Sequence, residues 1–145
     1  MRPFQVAFDA RSPVPLAQFW AAALRDRGYV AEPPPPGFDS WDAWCEAQGI
    51  PASERDAAAA VVDPSGQQPR LWFRRVPESK TVKNRLHLDL QSGAGAGLTP
   101  EERAERMHAE VQRLVVLGAT MTSERAEFGS RWTVMLDPEG NEFCV

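Results

Sequence analysis

His87 and Asp89 stand on the polar side of residues 85–91, RLHLDLQ, the stretch around which the rest of the chain is organised. Imidazole and carboxylate groups move protons and hold cations, and the chain has only two histidines and two cysteines. Leu86, Leu88 and Leu90 alternate with Arg85, His87, Asp89 and Gln91, the period of a strand with one apolar and one polar face. Residues 141–145 are the segment expected to pair beside this strand, which would bring Cys144 close to His87. A thiol beside an imidazole is the minimum for a cysteine nucleophile with a histidine base, although nothing else in the sequence marks Cys144 as activated. The polar face either meets solvent, as in many antiparallel sheets, or lines a cavity. His108 falls between the apolar positions of a predicted helix, near Glu101 and Glu105, and reads as a surface residue.

Other reaction chemistries leave no trace. HExxH and GxSxG are absent, and the SGAGAG stretch at 92–97 lacks the lysine of a phosphate-cradling loop. With 43% hydrophobic and 25% charged residues and a net charge of -4, the composition is that of an ordinary globular protein. Its basic residues form no stripe beyond Arg74-Arg75 and the scatter Lys80, Lys83 and Arg85, which argues against nucleic acid. Cys45 and Cys144 are far apart, without CxxC spacing, so a reducing compartment is expected. The first ten residues lack the apolar centre of a signal peptide, and no run approaches the ~18 apolar residues of a membrane span. A cytoplasmic location and no membrane partner follow as expectations.

The elements that must position these residues repeat. Phe4, Val6 and Phe8 alternate as a first strand, followed by a helix with Ser12 as cap, Pro13 at its first position and a stripe of Leu16, Phe19, Trp20, Ala23 and Leu24. Gly28 ends it, and strands are expected at 29–32, 56–62 and 70–76, the last two joined by the turn Asp63-Pro64-Ser65-Gly66. Between them lies an irregular segment with four consecutive prolines and a short helix capped by Asp39 or Ser40. Phe38, Trp41 and Trp44, spaced by three, share one face there, as a satellite core or a lid over a pocket. In the second half, residues 85–91 precede a helix with the capping box Thr99 and Glu102 and a stripe of Ala104, Met107, Val111, Leu114 and Val115. Strands are expected at 119–123, 131–137 and 141–145, with the turn Asp137-Pro138-Glu139-Gly140. Laying the halves over each other matches Gln5 with His87, Gly28 with Gly118, and the two DPxG turns.

The expected fold class is therefore α+β: one domain over 1–145 made of two βαβββ repeats, about 1–78 and 79–145, whose curved mixed sheets surround a central cavity. Two βαβββ units with DPxG hairpins resemble the vicinal-oxygen-chelate superfamily, with glyoxalase I, extradiol dioxygenases and bleomycin-resistance proteins. The stretches at 81–90 (TVKNRLHLDL), 32–41 (EPPPPGFDSW) and 136–145 (LDPEGNEFCV) more narrowly resemble glyoxalase-like domain proteins of the actinobacterial type. The resemblance implies four metal ligands, from the first and last strand of each half. Transferred here they are Gln5, His87, Cys144 where the family's enzymes place glutamate, and a position within residues 71–74 that has no carboxylate. Gln5, His87 and Cys144 suit a soft ion such as zinc better than a hard one, so the site reads as degenerate. Zinc, nickel or manganese is the cofactor class implied, and a homodimer the implied assembly.

Two main readings follow. In the first, a small molecule is held in an aromatic-lined cavity walled by Trp72, Trp132, Met135 and Phe143, with Gln5, His87 and Asp89 as polar contacts and Phe38, Trp41 and Trp44 as lid. In the second, an atypical metal site supports a lyase, isomerase or dioxygenase of the glyoxalase type. A purely structural role is the third, and side chains filling the cavity would favour it. Lys83, Asn84 and Arg85 form either a solvated turn or an anion contact at the pocket mouth.

Overall fold

In a computed structural model, which describes residues 4–127 and 129–145, the chain runs β1 (Gln5–Ala10), α1 (Pro13–Ala23), β2 (Val30–Ala31), α2 (Trp41–Ala47), β3 (Ala58–Val62), β4 (Arg70–Arg75), α3 (Pro100–Val116), β5 (Thr120–Glu127), β6 (Ser130–Leu136) and β7 (Glu142–Cys144). Contacts divide it into two units, Met1–Ser79 and Lys80–Val145.

In the first unit every residue of the α1 stripe, from Leu16 to Leu24, is buried, and the helix lies on β3 and β4. Phe8 stacks on Phe73 at 4.8 Å and lies 6.1 Å from Trp20, which ties β1 to β4 and to the helix. After α1 the chain tightens into a 3-10 turn, Arg25–Arg27, and Gly28 leaves it at φ 86°, a conformation that glycine adopts without strain. The sheet has the order β1-β4-β3-β2, with β1 parallel to β4 and the other pairs antiparallel. Its register sets Gln5 opposite Arg70, Ala7 opposite Trp72 and Asp9 opposite Arg74. Val61, Leu71 and Phe73 point to the buried face, so Arg70, Trp72 and Arg74 occupy the other. β2 is shorter than expected because Pro33 follows Glu32 and cannot donate to a ladder, yet the Glu32 N–H still reaches the Ala60 carbonyl at 2.9 Å. Ser40 caps α2, its hydroxyl accepting from the Ala43 N–H at 3.1 Å.

In the second unit the capping box forms as its sequence demands. The Glu102 N–H donates to the Thr99 hydroxyl at 3.2 Å, and the Thr99 N–H donates to the Glu102 carboxylate at 2.7 Å. Of the expected α3 stripe only Val111 and Leu114 are buried; Met107 is half-buried, and Ala104 and Val115 are exposed. β5, β6 and β7 form an antiparallel sheet.

Residues 85–91 are not the regular strand that their alternation suggests. They contribute one parallel bridge, Asp89 to Cys144, made by the Leu90 N–H to the Cys144 carbonyl at 2.8 Å and the Cys144 N–H to the Leu88 carbonyl at 2.9 Å. Leu86 is 65% exposed, so no burial holds the start of the segment, and β7 offers it only three residues. The βαβββ order is complete in the first unit and keeps its first strand as this single bridge in the second. Among the described residues no helix is long and apolar enough to cross a membrane.

Candidate functional site

The bridge at Asp89 brings the reactive side chains of the second unit together. His87 Nδ1 lies 2.9 Å from Asp89 Oδ1, as alternation on an extended segment allows. With its proton on Nδ1 the imidazole donates to Asp89 and keeps Nε2 as its lone-pair nitrogen. One ligand-type atom each from His87, Asp89 and Cys144 lies within 4.8 Å of the other two. Burial pushes the Cys144 thiol up, and the negative charge of Asp89 and a hydrogen bond to it push the same way against Lys83. Cys144 is thus a thiol donating to a carboxylate, and His87 pairs with Asp89 instead. The raised thiol disfavours the thiolate that a Cys144 nucleophile needs.

Glu142 holds the segment that carries this cluster. Its carboxylate accepts from the Asn84 N–H at 2.9 Å and from the Lys80 ammonium at 2.9 Å. Burial pushes the Glu142 carboxyl up, but the Asn84 amide and the Lys80 hydrogen bond and charge outweigh it and hold the group at about 2. Sequence reading missed Glu142 altogether and took Asp89 only as a polar contact. The spacing of two, from His87 to Asp89 and from Glu142 to Cys144, was the available signal.

The first unit holds a cavity of about 870 Å³ bounded by parts of α1, the β2–β3 edge and the α2 segment. Residues 57–60, four successive alanines, line it and leave space that larger side chains would fill. Trp41, Trp44 and Trp72 form its aromatic wall; the rings of Trp41 and Trp44 meet edge to face at 5.6 Å and 85°. The Trp41 indole N–H donates to the Glu32 carbonyl at 2.8 Å. Arg70, also on the wall, grips the Glu32 carboxylate through Nε at 2.8 Å and Nη2 at 2.6 Å, and donates through Nη1 to the Gln5 amide oxygen at 3.0 Å.

The aromatic group expected as a lid is divided: Trp41 and Trp44 line this cavity, whereas half-buried Phe38 does not. Met135 and Phe143 do not line this cavity. They are cross-strand partners with 0% and 1% of their surface exposed, because Cys144 pairs with Val134 and strand alternation sends their side chains to the opposite face. Half-buried Trp132, two residues from Val134, shares the face of Cys144. The register also identifies the position left open within residues 71–74. Gln5 corresponds to His87, so Ala7 opposite Trp72 corresponds to Asp89 opposite Cys144, and that position is Trp72.

No curated protein matches the sequence. Solved structures do resemble it. A glyoxalase/bleomycin resistance protein/dioxygenase family enzyme from Burkholderia phytofirmans PsJN is 15% identical, with TM-score 0.58 over 97% of this chain and 93% of that one. The fosfomycin resistance protein FosX from Listeria monocytogenes, a mutant complexed with Mn(II) and a dihydroxypropylphosphonic acid, is 12% identical, with TM-score 0.55 over 97% and 84%. The oxidase ChaP-H2 is 15% identical, with TM-score 0.53 over 99% and 91%. At these identities the likeness is one of fold. The sequence itself matches the glyoxalase-like domain over residues 5–145, so the chain belongs to the glyoxalase-like domain family.

Proposed function

We propose that the chain is a small-molecule-binding member of this family whose ligand occupies the aromatic cavity of the first unit. The observation that carries this is the wall of Trp41, Trp44 and Trp72 around about 870 Å³ of space, a size and lining suited to a small organic molecule. The family's four-ligand metal pattern does not fit this sequence. At the position where that pattern needs a donor, Trp72 offers an indole, which has an N–H and no lone pair for a metal. Calorimetric titration with aromatic fragments tests the proposal. Micromolar to millimolar binding that weakens roughly tenfold or more in Trp72→Ala is expected. Binding indifferent to Trp41, Trp44 and Trp72 would contradict it.

A second reading, metal-dependent chemistry, is supported by the convergence of His87, Asp89 and Cys144. Imidazole, carboxylate and thiolate together suit zinc better than manganese, and a bound ion would supply Lewis-acid chemistry. Elemental analysis after dialysis against zinc, nickel and manganese tests it. Near-stoichiometric zinc that is lost in His87→Ala supports this reading, and no retained metal rules it out.

A further inference from the structure

We infer that the cavity of the first unit selects an organic cation with a flat apolar body, an inference that rests on the cavity being the binding site. Arg70 is turned to Glu32 and Gln5, and its charge is matched by the Glu32 carboxylate. Asp56, another lining residue, is paired with Arg75. Setting these two pairs aside leaves Asp42 and Glu54 on the lining against Arg55, whose Nε is engaged with the Ile50 carbonyl at 3.3 Å. Acid is therefore in excess on a wall whose other main constituents are three indoles. A cation placed against an indole face is attracted by the ring quadrupole, and a partly enclosed site strengthens that attraction over its value in water. Two indoles meeting at 85° make a corner in which one ring can lie flat while the other meets its edge. An anionic ligand would face Asp42 and Glu54, with Arg55, among the described residues, as the one lining cation outside these ion pairs.

The test compares three probes of nearly equal shape by calorimetry at low ionic strength: N-methylquinolinium, neutral 2-methylnaphthalene and anionic 2-naphthoate. The cation should bind roughly tenfold more tightly than the neutral probe, and the anion most weakly. The gap between cation and neutral probe should narrow to about threefold or less in Asp42→Asn/Glu54→Gln, two exposed positions where the change adds no bulk. A neutral probe that binds as tightly as the cation, or a gap that persists in the double variant, would overturn the charge selectivity while leaving the cavity as a binding site. If none of the three probes binds, the cavity is not the site, and the inference falls with it.

Discussion

The two units share a strand register and differ in what it carries. In the second unit the positions at the parallel pairing hold His87, Asp89 and Cys144, a set of proton-transfer and metal-ligand groups. At the matching positions of the first unit stand Gln5, Ala7 and Trp72, a set that hydrogen-bonds and stacks. Repetition preserves where side chains point, because alternation and pairing fix it. The side chains themselves then decide the chemistry. The first unit also has the long segment between β2 and β3, with its prolines and α2, and that segment turns one edge of an open sheet into a walled cavity.

This contrast is best broken by removing what holds each unit. The largest effect is expected for Trp20→Ala, since Trp20 is 1% exposed and meets both Phe8 and Phe19. A loss of about 3–5 kcal/mol in urea unfolding is expected, and with it the cavity. Glu142→Gln comes next and acts on the second unit by loosening the segment with His87 and Asp89. A cost of about 2 kcal/mol at pH 7 is expected. The folded carboxyl titrates at about 2 against 4.5 ordinarily. Its contribution is therefore complete above the ordinary value and is lost as pH falls through the folded one, so unfolding curves of the two proteins should converge only at about pH 2 and below.

How much of this was legible in the sequence follows the range of the interactions. The α1 stripe, the Thr99–Glu102 box and the Ser40 cap depend on residues three or four apart, and all formed where spacing placed them. The face on which Met135 and Phe143 lie depends on which face of a sheet is covered, which alternation alone leaves open. Arg70 and Glu32 are 38 residues apart, and no local pattern joins them. The strand expected at 85–91 failed because period-two spacing states only what a segment can do when a partner is present.

Smaller effects sharpen the contrast. Arg70→Lys removes the two-pronged hold on Glu32 and should cost about 1 kcal/mol in the same unfolding assay, with weaker probe binding in the first unit. Leu86→Ser should change stability by less than about 0.5 kcal/mol, because this leucine is 65% exposed. A cost of about 2 kcal/mol instead would restore the segment as a packed strand.

The most direct measurement uses the five tryptophans as reporters. Their indole N–H signals are assigned by nuclear magnetic resonance and followed while N-methylquinolinium is added. Binding in the first unit's cavity should move the signals of Trp41, Trp44 and Trp72 and leave those of buried Trp20 and of Trp132 in place. Movement confined to Trp132, or of none of the five, would contradict it.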